Sequence, residues 1–342
     1  MSTALYAFLA SFAVTALAVR LVLAFLRHRQ ILDLPNERSS HTRPTPRGGG
    51  LAVTPVILTG WLLLAGVGVV LSGQLVVMGG ALGLLLLSWQ DDRKSLPART
   101  RLLVHLLAVV AGIYALPAKE LVFQGWLPFW LDRAAAGLLW LWFLNLYNFM
   151  DGIDGITASE TVTIGLGVAL IAIAASDFES GAVLLGLSIA AAALGFLAWN
   201  WHPAKLFLGD VGSIPLGFLL GWLLLGLAGT GSWAPALILP LYYLVDATLT
   251  LLYRIARFRR FWEAHREHFY QRSVQRGYSH SAVVLRIGAA NFSLVALSLL
   301  ATTWPLISLG LAVVAVVALL VWLMRHPDTA SNAAPDPTAV QT

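Results

Sequence analysis

The stretch "NLYNFMDGIDG", residues 145–155, closes an apolar run that begins near position 134 and places two carboxylates and an amide at its end. Asn148, Asp151 and Asp154 are spaced three apart, so a helix continuing through them would set all three on one face. Gly152 and Gly155 loosen the backbone between the acids and let a ligand approach closely. Asx-Gly pairs are also ordinary turn material, so the stretch alone reads equally as a polar helix end. The surrounding chain decides between the two readings.

That chain is 58% hydrophobic and 11% charged, with a mean hydropathy of +0.77 over 342 residues. A soluble domain carries about 25% charged residues, so the composition excludes one and predicts an all-α polytopic membrane protein. Eleven apolar segments are long enough to cross a core of about 30 Å, some with help from flanking residues. They run over 4–26, 51–71, 75–89, 101–117, 134–150, 157–176, 181–199, 213–229, 233–253, 283–302 and 306–323. The third is short, and a count of 10 is compatible with the same pattern. The absence of Cys excludes disulfides, thiol catalysis and thiolate metal sites.

Basic residues set the orientation. Of the 22 Lys and Arg, 18 fall in the connections after segments 1, 3, 5, 7 and 9 and in the C-terminal tail. Lys119 and Arg133 alone fall on the opposite side, while Arg20 and Arg286 lie inside segments. The positive-inside rule then places the N-terminus outside and the C-terminus in the cytoplasm. Residues 1–19 lack a positively charged n-region, so segment 1 reads as a retained helix. Residues 1–325 are expected to form one transmembrane domain, and the Ala-, Pro- and Thr-rich residues 326–342 a disordered tail.

With this topology the acids fall on one face. Asp91 and Asp92 follow segment 3, Asp151 and Asp154 follow segment 5, Asp210 follows segment 7, and Asp246 lies in segment 9 before Arg254. A carboxylate facing lipid costs several kcal/mol, so Asp246 is expected to face protein or a water-filled cleft. Six like charges on one face require cations among them, from Lys205, Arg93, Lys94, Arg99 and Arg101 or from a divalent hard ion.

Each motif has a bland alternative. "SWQDDRKSLPARTR" (88–101) also reads as a solvated loop. In "NWHPAKLFLGDVGSIPLG" (200–217), Ser213 is the expected N-cap with Pro215 in the first turn, which makes either an anion site or a plain capped helix. "RFRRFWEAHREHFYQRSVQRGYSH" (257–280) suits an amphipathic surface helix, and His265 and His268 lack a third zinc ligand, which favours phosphate over metal. The glycines of "DLPNERSSHTRPTPRGGG" (33–50), beside Arg38, Arg43 and Arg47, are read as an anion nest or a flexible join. Their common placement on one side favours a site built from loops.

Together, "DLPNERSSHTRPTPRGGG", "DDRKSLPARTR", "NFMDGIDG", "HPAKLFLGDVGS", "VDATLTLLYR" and "HREHFYQR" resemble, in order and spacing, the polyprenyl-phosphate N-acetylhexosamine-1-phosphate transferases of the MraY/WecA type. The resemblance covers residues 1–325. It implies transfer of a sugar-1-phosphate from a UDP-sugar to undecaprenyl or another polyprenyl phosphate on the cytoplasmic leaflet of a bacterial inner membrane, with release of UMP. It also implies Mg²⁺, with Mn²⁺ as a substitute. Carried residue by residue, Asp210 matches the metal-binding acid. Asn148, Asp151 and Asp154 match positions that hold nucleotide and metal. Asp91 and Asp92 match the pair assigned to acceptor phosphate and catalysis, and His265 and His268 a His motif beside the diphosphate. Lys205, Ser213, Asp246 and Arg99 are expected to contact substrate. Ser95 stands where a third acid is common, and the His motif is sparse, which resembles the branch that initiates O-antigen or other surface polysaccharides. A homodimer is compatible with this setting, and no nucleic acid is expected.

Two rivals remain at the level of sequence. A lipid transporter or scramblase would need ionisable groups or broken helices near the midplane, and only His105 and Glu160 fall within apolar runs apart from Asp246. A phosphatidyl-alcohol transferase would cluster its acids on adjacent helix turns instead of across four connections.

Overall fold

A computed structural model of the chain describes residues 2–35, 43–69, 71, 73–174, 180–259 and 265–325. The tail expected to be disordered and Arg38 lie outside those residues. The elements in order are α1 (Ser2–His28), β1 (Leu32–Asp33), β2 (Thr45–Pro46), α2 (Gly50–Gly66), α3 (Gln74–Lys94), α4 (Ala98–Ala115) and α5 (Phe129–Phe149). Then follow α6 (Ile156–Ala174), α7 (Ser180–Asn200), α8 (Asp210–Gly229), α9 (Trp233–Ile238), α10 (Leu241–Ala256), α11 (Phe269–Gln275), α12 (His280–Ala301) and α13 (Pro305–Leu323). The chain is an all-α polytopic membrane protein; the short β1–β2 pair is its only sheet among the described residues.

Among the described residues, seven helices are long and apolar enough to cross a membrane, and α2 is a shorter apolar helix. The segment expected to be short is the helix α3, whose 21 residues span about 31 Å. The segment expected over 233–253 is broken into α9 and α10 at Leu239–Pro240, because proline cannot donate to the helical ladder. Beside the break lies an apolar cavity of about 300 Å³ lined by Phe123, Trp140, Phe143, Leu225, Trp233 and Leu244 among others. Leu21, Leu63, Leu138, Leu306 and Val314 are all exposed, an apolar outer surface suited to lipid.

α8 is the centre of the bundle. It packs on α3 and α5, touches α2, α6 and α9, and 94% of its spanning window is buried. Without a hydrophobic drive between helices in lipid, close packing holds such a bundle. A Cβ at Gly50 would lie 2.2 Å from the Gly212 Cα, so α2 and α8 meet backbone to backbone at their first turns. α6 and α7 cross in the same way at Gly165 and Gly186, each in contact with the other's carbonyl oxygen.

Inside the bundle, Glu160 of α6 is wholly buried and accepts a hydrogen bond from the Asn291 amide of α12. His105 of α4 is buried with Nδ1 3.2 Å from Asn145 Oδ1. Each of these polar groups joins its helix to another, α6 to α12 and α4 to α5.

The Gly50 contact gives a test with an internal control. Gly50→Ala must separate α2 from α8, and overpacking of this kind costs about 1–3 kcal/mol. We expect a lower melting temperature in detergent and loss of activity, whereas Gly60→Ala on the same helix, where nothing lies within 4 Å, leaves both unchanged.

Candidate active site

Four connections converge. The loop before α2 is zipped to the residues before α8: Phe207 N donates to Pro46 O at 2.9 Å, Gly48 N and Gly49 N to Phe207 O at 3.1 and 2.8 Å, and Gly50 N to Leu208 O at 3.0 Å. The three glycines are thus neither anion nest nor flexible join, since their N–H groups are committed to this seam. The seam carries Arg47 to Asp210, in the first turn of α8. The guanidinium pairs with Asp210 Oδ1 and lies 3.8 Å from Asp92 at the end of α3.

Electrostatics confirm the crowding. Burial pushes the Asp92 carboxyl up to about 6, against the pull of Arg47 and with the help of Asp210 and Asp91. Burial also raises Asp151 to about 6, opposed by a hydrogen bond with Thr157 and by Arg47. For Arg47, burial alone would lower the pKa, but Asp210, Asp92, Asp33 and Asp151 outweigh it and raise it. Asp92, Asp151 and Asp210 are hard oxygen donors, as Mg²⁺ requires. Asn148 is half-buried, and its amide makes no hydrogen bond among the described residues.

The opening stretch does not continue as a helix. α5 ends at Phe149, and Asp151 and Asp154 lie in the turn that leads to α6, so no helical face carries all three polar groups. Gly155 has φ +79° and donates to Asn200 Oδ1 at 2.9 Å, which pins the turn to the end of α7. The close approach that Gly152 allows is taken by the chain itself: a Cβ there would lie 2.3 Å from the Tyr270 hydroxyl.

The two halves of each acid pair differ. Asp91 accepts from Arg101 at 3.0 Å and from Leu96 N at 2.7 Å, so it ties the α3–α4 loop, while Asp92 faces Arg47. Asp154 is 7% exposed and accepts from Ala204 N at 3.1 Å, with His202 Nδ1 at 2.6 Å and His280 Nδ1 at 3.4 Å from the same oxygen. Burial favours its neutral form, but the hydrogen bonds from His280 and His202 hold its pKa below the usual carboxylate value. This Asp-His-His cluster could ligate a metal by proximity. Its two imidazoles suit a softer ion than Mg²⁺, which leaves the Asp210 group as the better fit.

Asp246 is wholly buried and anchors α11. It accepts from Phe269 N at 3.1 Å, Tyr270 N at 3.4 Å and the Tyr242 hydroxyl at 3.1 Å, with His268 Nδ1 at 3.2 Å. A carboxylate on the first N–H groups of a helix satisfies otherwise orphan donors. His268 is 3% exposed and stacks on His265 at 5.0 Å, and burial with the neighbouring His268 and Arg254 lowers His265 to about 4. His265 is therefore neutral at pH 7. Glu267 pairs with Arg254 and Arg259.

Other expected contacts fall elsewhere. α8 begins three residues before Ser213, with Gly209 as its N-cap. Ser213 is 1% exposed and its hydroxyl donates back to Gly209 O at 3.3 Å. Ser213 and Asp246 are thus both buried, with their side chains engaged by the protein's own groups. Lys205 is exposed, 5.6 Å above the Trp199 ring, and Arg99 is exposed in the first turn of α4. His202, His280 and Asn200 also belong to the site region and stand inside the motifs at 200–217 and 257–280; their pairing with the "DGIDG" turn has no signature in residue type or spacing.

Comparison with known proteins agrees with this geometry. The description "Glycosyl transferase family 4" matches residues 74–228. The probable undecaprenyl-phosphate N-acetylglucosaminyl 1-phosphate transferase of Bacillus subtilis is 30% identical over 302 residues, 82% of this chain and 81% of that protein. The decaprenyl-phosphate N-acetylglucosaminephosphotransferase of Mycobacterium tuberculosis H37Rv is 30% identical, over 86% of this chain and 82% of its own. The phospho-N-acetylmuramoyl-pentapeptide-transferase of Moorella thermoacetica is 31% identical over about half of each, 51% and 52%. The chain belongs to glycosyl transferase family 4, in the polyprenyl-phosphate N-acetylhexosamine-1-phosphate transferase family. It is an enzyme that transfers a sugar phosphate.

The anchoring of α11 is open to test. Asp246→Asn puts an amide N–H against backbone donors, and an unmet buried group costs about 1–3 kcal/mol. We expect faster tryptic cleavage at Arg266 and Arg272 in folded, detergent-solubilised protein than in wild type.

Proposed function

We propose that this enzyme transfers N-acetylhexosamine-1-phosphate, with N-acetylglucosamine as the sugar, from its UDP derivative to a polyprenyl phosphate, and releases UMP. The single observation that carries this is the convergence of Asp92, Asp210 and Arg47 from three separate connections, a site suited to a diphosphate and not to an anomeric carbon. The names of the Bacillus and mycobacterial relatives support the sugar and the lipid class.

In this reading an oxygen of the lipid phosphate attacks the β-phosphorus of the donor, and the bond to the UMP oxygen breaks. Asp92 is oriented toward the site and takes the acceptor's proton, a short step because the second phosphate pKa is near 6. Arg47 and the exposed Lys205 and Arg99 supply positive charge for phosphate oxygens. Asp151 and Asn148 face the donor, and Asp154 sets the turn that carries Asp151. A Mg²⁺ held by Asp210 and Asn148, with Mn²⁺ as its substitute, would neutralise the diphosphate and polarise the leaving group. Neutral His265 and its stacking partner His268 offer hydrogen bonds to the diphosphate from the α11 platform. The apolar cavity beside the α9–α10 break gives room for part of a prenyl chain.

In the same reading the site lies on the cytoplasmic face of a bacterial inner membrane, which the basic connections support, and the product begins an O-antigen or another surface polysaccharide. Cysteine labelling tests that orientation on a Cys-free background. Gln275, Ser95 and Lys119 are all exposed, so Gln275→Cys and Ser95→Cys serve as the inner probes and Lys119→Cys as the outer one. In sealed cells only the last should react with impermeant reagent.

Donor labelled at the β-phosphorus tests the chemistry. Label is expected in the lipid and unlabelled UMP in solution; label released as UDP overturns the assignment. Asp210→Asn and Asp92→Asn should each lower kcat at least ~100-fold, the range for a lost acid–base or charge-stabilising group. Chelation should abolish turnover of wild type, and added Mg²⁺ or Mn²⁺ should restore it.

A further inference from the structure

Arg47 is the only cation within ion-pair distance of Asp210 among the described residues, and it stands between that carboxylate and Asp92. Its base is fixed. The backbone on either side is hydrogen-bonded to Phe207, and a Cβ at Gly209 would lie 3.1 Å from the Arg47 Cγ. Its side chain is 38% exposed against 20% for each carboxylate, so part of it borders solvent. The pair is thus held by its backbone seam and is not sealed on every side.

The seam therefore delivers a positive charge to the oxygen that a divalent ion would take. A divalent ion on the other oxygen of Asp210 would lie a few ångströms from the guanidinium, with two like charges in a site of reduced dielectric. We propose that the Arg47 guanidinium and the divalent cation are alternative partners of Asp210: Arg47 is the built-in counter-ion of the ion-free enzyme and leaves Asp210 when the ion binds. The inference rests on the metal-dependent reading above. It explains why a loop outside the acidic motifs is zipped so closely to the start of α8. The alternative is coexistence, with Arg47 on Asp210 before and after ion binding.

Mn²⁺ binding to the purified, chelator-treated full chain, without substrate, separates the two. Free Mn²⁺ is read by electron paramagnetic resonance for wild type, Arg47→Gln, Arg47→Lys and Asp210→Asn. A neighbouring cation moves the affinity of a carboxylate for its proton by about 1–3 pH units. Removing it should tighten Mn²⁺ binding by at least ~tenfold in Arg47→Gln, and Arg47→Lys, too short to reach as far, should tighten it less. Unchanged or weaker binding in Arg47→Gln overturns the proposal. Wild-type protein provides a second measurement that needs no variant to fold. Phenylglyoxal modification of Arg47, followed by peptide mass spectrometry, should rise when Mn²⁺ is added; an unchanged or lower yield means coexistence and overturns the proposal. Asp210→Asn identifies a failure of the underlying reading: if it binds Mn²⁺ as wild type does, Asp210 is not the ion's ligand and competition for it falls as well.

Discussion

Everything at the site depends on the contact between Gly50 and Gly212. Two helix starts can meet backbone to backbone only where neither carries a side chain, and here that meeting sets the loop before α2 against the residues before α8. Once the seam has formed, Phe207 and Leu208 take the loop's N–H groups, Arg47 is carried to Asp210, and Asp210 is set at the first turn of a helix. α3 and α5 then pack on α8 and bring Asp92 and the "DGIDG" turn to the same end of the bundle. The chemistry is thus assembled from residues more than 160 positions apart, as the 163-residue separation of Arg47 and Asp210 shows.

Much of the fold was legible because lipid imposes a simple rule. Long apolar runs separated by basic connections leave few choices, and helices occupy all of the segments read from the sequence, with the ninth divided at Pro240. Helix ends were less legible. Ser213-Ile-Pro looks like a start signal, yet α8 begins at Asp210 because Gly209, with φ +74°, turns the chain there. Asn148, Asp151 and Asp154 have helical spacing, but Met150 ends the helix and leaves the acids in a turn.

The site was legible as a list of acids and not as a division of labour. Asp91 and Asp92 are adjacent in sequence and point to different partners, which only the packing of α3 against the Arg47 loop decides. Asp246 carries the signature of a substrate group, an acid in an apolar run, yet it is consumed by the N–H groups of α11. His202 and His280 are 78 residues apart and meet over one carboxylate oxygen, a pairing invisible without the fold. Intramembrane Glu160 likewise finds Asn291 on a helix far along the chain.

The enclosure of α8 has a consequence for how the enzyme meets different bilayers. Bilayer thickness acts on a protein through the helices that touch lipid, by tilting them or by thinning the surrounding membrane. α8 is shielded by its neighbours over nearly its whole length, so such mismatch reaches it only through side-chain packing. Asp210 therefore keeps its height relative to the protein and not to the hydrocarbon boundary. A lipid-linked phosphate, whose own height follows the headgroups, must come to that fixed level, and membrane thickness enters as a term in acceptor binding with the position of Asp210 left undisturbed.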